Sequence, residues 1–368
     1  MSRSTPLTLL SLNQDVLSYV VGHLSPRDAV SLSSTCRAAN TIPVEPSLHT
    51  VVLRRSITQI KKLRDYLLKA DFRYNLLKSL TLLDMSTSET DHDFVEAAGA
   101  LADILERTPN LECFSSSVME DLVHASQGRV FAALASLENL YELNVSQCGS
   151  EILQAILSLP LKTHKLRSFT AKMQFEVGYT EHGVCYDALL STLQQHPHLE
   201  SLSLSLDGAV SRMGGPWSLP TVTALTLEDT FIPMSIAATI FPGVRRLTFR
   251  SAGAAQFVER GTAVPSWNAL EAAHMDASDL ALWPLWCPVR ALRVDMLTEV
   301  RARAVVLAVE RTTPYVFACT YRVDTVNQFW KRVPAVAHNL RFLEVRAVEH
   351  SKGPRVSVGC SHARSFEG

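Results

Sequence analysis

What this sequence lacks narrows its class quickly. It has no charge bias: 35 lysines and arginines stand against 36 aspartates and glutamates in 368 residues, leaving a net charge of -1. That balance gives no general reason to expect nucleic acid or an anionic membrane as partner. It also lacks paired cysteines. The seven, at positions 36, 113, 148, 185, 287, 319 and 360, are scattered, with no CxxC and no histidine bracket. Such a set argues against a disulfide framework or a zinc site and fits a reducing compartment. No apolar run approaches the ~18 residues of a membrane-spanning helix. The opening segment MSRSTPLTLLSLNQD carries one basic residue and a broken apolar stretch, which does not read as a signal peptide. Cytoplasm, nucleus or both is the expected location.

Catalytic signatures are missing as well. There is no GxSxG, no HExxH, no GxxxxGK[ST] and no GxGxxG after a strand. The pair His196 and His198, around Pro197, has no carboxylate or cysteine at metal spacing and reads as a helix-to-strand turn. Cys36 beside Arg37 has no local histidine to complete a nucleophile, so a buried helix contact is expected. The expectation is a protein that is not an enzyme, with no catalytic residue, no metal and no cofactor.

What is present begins with a compact helical unit. Leu17, Val20, Val21 and Leu24 recur at helical spacing, with Asn13 as a cap and Asp15 in the first turn, where a negative charge suits the helix dipole. A second start is written in Ser25-Pro26-Arg27-Asp28: a capping hydroxyl, a proline at the first helical position, and a carboxylate that can return the capping bond. Ala29, Val30 and Leu32 follow, then a short third piece around Cys36-Arg37-Ala38-Ala39. Three short helices bury little surface alone, so their leftover apolar face is a docking face.

This segment resembles the F-box. The matching residues are Leu12, Asp15, Leu24, the Ser25-Pro26-Arg27-Asp28 turn, Leu32 and Cys36-Arg37, while Asn13 stands where the family has proline and the usual aromatic after Cys-Arg is absent. The resemblance implies binding of a Skp1-type adaptor, and through it a cullin-RING ligase. On that resemblance the adaptor-binding residues are Leu12, Asn13, Val16, Leu17, Val20, Leu24, Pro26, Arg27, Asp28, Leu32, Cys36 and Arg37.

The remainder repeats. The pattern apolar-x-x-apolar-x-apolar starts at Leu77, Leu140, Leu199, Val222, Val244, Val289 and Leu340, with weaker copies at Leu111, Leu166 and Leu270. The long step from Val289 to Leu340 leaves room for another copy near Tyr315-Val316-Phe317. Spacing then averages about 26 residues, inside the leucine-rich-repeat range. Prolines at 109, 197, 220, 242 and 288 precede first positions and push the chain from helix to strand. Helical stretches are expected at Phe94–Leu105 and Tyr186–Gln194. Val51-Val52-Leu53 reads as a first strand, and Ile60, Leu63, Leu67 and Leu68 as a helical stripe with no flexible linker before it. Trp283 and Trp286 are expected as the apolar backing of a repeat turn, and Lys61, Lys62, Arg54, Arg55 and Arg64 as a solvated face. Unequal steps and no regular Asn or Cys make the array similar to those of fungal F-box proteins with degenerate leucine-rich repeats.

The expected fold is therefore α/β: a small three-helix F-box at 10–50, then an irregular leucine-rich-repeat solenoid at 51–348, with a curved parallel sheet inside and helices outside. A poorly ordered tail is expected at 349–368. Residues flanking the last two apolar positions of each copy should face outward on the sheet. In the C-terminal copies these include Arg246, Arg250, His274, Arg293, Asp295, Phe342, Glu344 and Arg346, a mixed-charge, arginine-bearing surface of the kind that docks proteins. The implied function is a substrate receptor of an SCF-type ubiquitin ligase with an unknown protein target. A repeat scaffold acting outside any ligase is the other reading.

Overall fold

The structure is a computed structural model, and it describes residues 12–13, 16, 19–20, 24, 28, 32, 48–85, 91–149, 165–173, 186–209, 216–250, 267–322 and 327–348. The expectations placed on Leu17, Pro26, Arg27, Cys36, Arg37 and the segment 349–368 lie outside the described residues. The chain falls into two compact units, one holding residues 1–148 and 158–166, the other 149–157 and 167–368.

The first unit carries strands β1 (Thr50–Arg54), β2 (Ser79–Leu83), β3 (Cys113–Ser116) and β4 (Glu142–Cys148). They pair in parallel and in chain order. Between them run α1 (Thr58–Leu67), α2 (Phe72–Leu76), α3 (Asp91–Arg107), α4 (Met119–Ala125) and α5 (Arg129–Ala135). The second unit carries β5 (Ser168–Met173), β6 (Ser201–Ala209), β7 (Ala224–Phe231), β8 (Arg246–Arg250), β9 (Leu270–Asp276), β10 (Val289–Leu297), β11 (Val316–Arg322) and β12 (Phe342–Val348), again parallel and in chain order. Its helices are α6 (Tyr186–Leu193), α7 (Met234–Ile240), α8 (Asp279–Leu282), α9 (Glu299–Thr312) and α10 (Asn327–Val336).

The apolar pattern and the register coincide. The second position of each copy lies beside its counterpart: Leu80 pairs with Phe114 and Phe114 with Leu143 in the first unit. In the second, Leu202, Leu225, Leu247, Ala273, Leu292, Phe317 and Leu343 form one continuous row. Parallel in-register stacking is how a ridge too narrow to bury itself becomes a core, since each coil covers the next. A fully buried leucine in such a row contributes roughly 1.5–3 kcal/mol. The copy expected near Tyr315-Val316-Phe317 is β11. The sequence also holds an earlier copy at Leu48, Val51 and Leu53, whose last member pairs with Leu82.

Two backbone features repeat where the side chains do not. The residue two places after the third apolar position takes a left-handed conformation in five coils, at Arg55, Asp84, Gln147, Asp229 and Met296. This turns the chain off the strand, and in β10 it creates a bulge that brings Leu297 back to the interior after Val294. The second feature is a carbonyl that accepts two successive N–H groups from the next coil. Lys78 accepts from Glu112 and Cys113, Glu112 from Tyr141 and Glu142, Glu200 from Thr223 and Ala224, and Thr223 from Arg245 and Arg246. Arg245 then accepts from Glu271 and Ala272, and Tyr315 from Arg341 and Phe342. These bonds staple neighbouring coils just before the strands begin.

Several expectations need correcting. Leu68 follows the end of α1 and is 46% exposed, leaving Ile60, Leu63 and Leu67 as the buried stripe. Of the basic residues expected as a solvated face, Arg54, Arg55 and Lys62 are exposed, whereas Lys61 and Arg64 are paired with α3. Lys61 bonds to Glu96 and lies 3.8 Å from Asp93, and Arg64 lies 3.8 Å from Asp103. Arg129 then reaches Asp103 and Glu106, both at 2.7 Å, so charges link α1, α3 and α5. The two tryptophans also part ways. Trp283 is buried and stacks on Phe249 at 3.7 Å, whereas Trp286 is exposed beneath the Arg311 guanidinium at 3.9 Å. Leu343, expected inside, is 45% exposed, because among the described residues β12 pairs only with β11 and no further coil covers it.

Candidate functional site

The face of the second unit's sheet is built by alternation. In β8, Leu247 and Phe249 turn inward while Arg246 and Arg250 are exposed and Thr248 is half-buried between them. The same alternation in β9 to β12 brings out Ala272, His274 and Asp276, then Ala291, Arg293 and Asp295, then Ala318 and Thr320, then Phe342, Glu344 and Arg346. Register sorts these into rows. Ala291, Val316 and Phe342 lie side by side beyond Arg246 and Ala272, and Thr248, His274, Arg293, Ala318 and Glu344 form the next row. The third row holds Arg250, Asp276, Asp295, Thr320 and Arg346.

Asp295 is the hub of this face. Its Oδ2 accepts from His274 Nε2 at 2.7 Å, and its Oδ1 from the Thr320 hydroxyl at 3.0 Å. Because a carboxylate only accepts, the imidazole carries its proton on Nε2. Arg250 Nη2 converges on the same Oδ2 at 3.4 Å and lies 3.3 Å from the imidazole nitrogen, and Arg293 Nε lies 3.5 Å from Oδ1. Burial pushes the Asp295 carboxyl up, but the His274 and Thr320 hydrogen bonds, with the nearby Arg293, outweigh it and hold the group below its usual range. Its stabilising contribution is thus present above the ordinary carboxylate pKa and is lost as pH falls.

Asp276, paired with Asp295 across β9 and β10, is shifted the other way. Burial raises it, Arg250 opposes that, and the Asp295 charge raises it further. A raised carboxyl favours the fold while protonated and loses that advantage as pH rises through its folded value. Asp276→Asn, which stays neutral, should therefore melt at a higher temperature than the parent at neutral pH. The difference should vanish below the ordinary carboxylate pKa of about 3.9, as thermal melts at the two pH values will show.

Beside the hub is a shallow dip lined by Arg293, Ala318, Cys319, Thr320, Glu344 and Arg346. Glu344 accepts from Arg346 Nε at 2.7 Å. Burial pushes the Cys319 thiol up to about 12 and that of Cys287 up to about 11, so both are protonated and unreactive near neutral pH. No group of three or more His, Cys, Asp or Glu able to hold a metal occurs among the described residues. No helix among them is long and apolar enough to cross a membrane.

Four of the expected outward residues, Arg250, His274, Arg293 and Asp295, come together in one cluster. Glu344 and Arg346 pair with each other at its rim, and Arg246 and Phe342 stand apart, Phe342 at 63% exposure. Thr320 was not expected, because its strand carries the obscured copy. On the N-terminal helical unit, Leu12, Val20, Leu24 and Leu32 are half-buried and Asn13 and Asp28 exposed. Val16 is 48% exposed and Tyr19 71%, both at helical positions. Tyr19 belongs to this exposed patch although no motif residue marks it.

Comparison with known proteins begins from that helical unit. Residues 9–49 match the F-box domain family, so the chain carries an F-box at its N-terminus. No curated protein matches this chain significantly. Among solved structures, the chain is similar to one from the crystal structure of the Rad7 and Elc1 complex in yeast, with 15% identity and a TM-score of 0.40 over 91% of this chain and 81% of that one. A likeness at this level carries no functional weight.

Proposed function

We propose that this protein is the substrate-recognition subunit of an SCF-type E3 ubiquitin ligase. In this reading the F-box holds a Skp1-type adaptor, and through it a cullin-RING assembly. The coils, taken as irregular leucine-rich repeats, hold the target. The observation that carries it is the F-box match at residues 9–49 in a chain whose remaining strands form in-register parallel repeats. The exposure of Val16 and Tyr19 on a helical surface supports it, since apolar side chains held in solvent on a small helical unit are the material of a docking face. The free thiols of Cys113, Cys287 and Cys319 suit the reducing cytoplasm or nucleus.

No side chain here needs to perform chemistry on the target. The receptor raises the effective concentration of a target lysine at the charged conjugating enzyme, and positions it. Cofactors and metals have no part in that role.

Co-purification tests the reading. The full chain should retain a Skp1-type adaptor, and Val16→Asp combined with Tyr19→Asp should cut capture by about tenfold or more, as expected for loss of interfacial anchors. Asn13, exposed where the family has proline, favours the rival reading of a repeat scaffold outside any ligase. An adaptor that ignores the unaltered chain would overturn the receptor reading and leave that rival standing.

A further inference from the structure

The charges on β8 to β10 are layered. The Asp295 side chain is only 18% exposed, while Arg250 and Arg293, which share it, are 44% and 45% exposed. The anion lies on the floor and the guanidinium groups stand above it, so a molecule approaching from solvent meets cations first. Contacts of 3.4 and 3.5 Å are long for charge-assisted hydrogen bonds, and each arginine offers five N–H donors. Both arginines are therefore oriented by Asp295 yet keep donors for a partner. His274 fills the gap between them, at 2.7 Å from the same carboxylate.

Register adds a direction. Arg250 stands in the third row on β8, Arg293 in the second row on β10, and Phe342 in the first row on β12. These three lie on one diagonal, each step crossing two strands and one row. With strands about 4.8 Å apart and rows about 7 Å apart, each step is about 12 Å, or three to four residues of extended chain. Ala291 and Val316 fill the first row between β10 and β12, so the approach to Phe342 is apolar and low.

We propose that the face of β8 to β12 binds an extended, carboxylate-bearing peptide segment laid along this diagonal. Two Asp or Glu side chains, three or four residues apart, sit over Arg250 and Arg293. An apolar side chain at the next such interval packs on Phe342. The inference rests on the receptor reading only in taking that segment to belong to the target. Carboxylate fits better than phosphate because Asp295 beneath the arginines and Asp276 beside Arg250 offset the two guanidinium charges, so the second charge of a phosphate gains little there and costs more to desolvate.

Selection from a library of random displayed peptides about twelve residues long, a length set by the diagonal, tests this on the purified full chain. Selected peptides should be enriched in Asp and Glu about threefold, with the acidic pair and the apolar residue at the stated spacing. The Arg250→Glu, Arg293→Glu chain should select lysine and arginine at those places instead. Binding of the best peptide should weaken about tenfold or more between about 50 and about 300 mM salt. Absence of acidic enrichment, selection of the same peptides by the variant, or tighter binding after each Glu is replaced by phosphoserine would overturn the proposal. The unaltered chain decides two of these outcomes, so misfolding of the variant does not protect the idea. Adaptor capture by the same preparations separates the two readings. Acidic selection without adaptor sinks only the receptor, and adaptor without acidic selection sinks only the peptide site.

Discussion

Gly243→Ala should be among the most damaging single methyl additions in this chain. The new Cβ would run into the carbonyl oxygen of Pro220, one coil back, and lie 3.0 Å from that carbonyl carbon and 3.4 Å from the oxygen of Val222. All three obstacles are backbone, fixed by the register of β7 against β8, so no side chain can rotate away. The coils must separate locally, at a cost of about 3 kcal/mol or more, in the range of overpacking and strain effects. Thermal melting should show a drop on the order of 5–10 °C. Gly99→Ala supplies the opposite sign. It lies within α3, a Cβ there meets nothing within 4 Å, and removing a mid-helix glycine should stabilise by about 0.5–1 kcal/mol. If both changes destabilise alike, close coil packing at Gly243 is not the cause.

Phe249→Ala should cost about 3–5 kcal/mol. Phe249 is 2% exposed in the inward row of β8, and its ring stacks on Trp283 at 3.7 Å with the planes 15° apart. Truncation removes the buried ring and leaves Trp283, which closes the coil after β9, facing a void. Trp286→Ala, three residues from Trp283, should cost under about 1 kcal/mol, since that ring is 55% exposed and held chiefly by one cation–π contact. Chemical denaturation of the two variants side by side would reveal the contrast. Equal losses would mean the sequence was right to treat the two tryptophans alike.

That pair illustrates what could be read beforehand. The strands were legible because inward positions demand bulky apolar residues at fixed offsets, and the copies at Leu77, Leu140, Leu199, Val222, Val244 and Val289 sit in register as their spacing implied. Copies that blurred did so for identifiable reasons. In β3 the third position is Ser116, buried with its hydroxyl accepting the Val118 N–H at 3.3 Å. In β11 the first position is Pro314, buried where other coils place Leu or Val. The outward face was legible as a set of residues but not as a constellation. Arg250, His274 and Asp295 are 24 and 21 residues apart along the chain, and only strand register makes them neighbours. Likewise, the pairing of Lys61 and Arg64 with α3 depends on helix packing that no local pattern encodes.

The left-handed residue and the doubly accepting carbonyl were invisible for a deeper reason. Both are properties of the main chain, and the residues that adopt them, among them Arg55, Asp84 and Met296 or Lys78, Glu112 and Thr223, share no side-chain chemistry. Their effect, in the coils that have them, is to locate the chain at the strand and at the staple before it and to leave the rest of the contour less constrained. Loop-closure entropy grows slowly with length, so residues added at the back of a coil cost little. An architecture pinned in this way is evolvable. Its outer turns can lengthen, shrink or lose all family likeness while the rungs within each unit keep their pitch, which is how repeats of such unequal length can stack evenly.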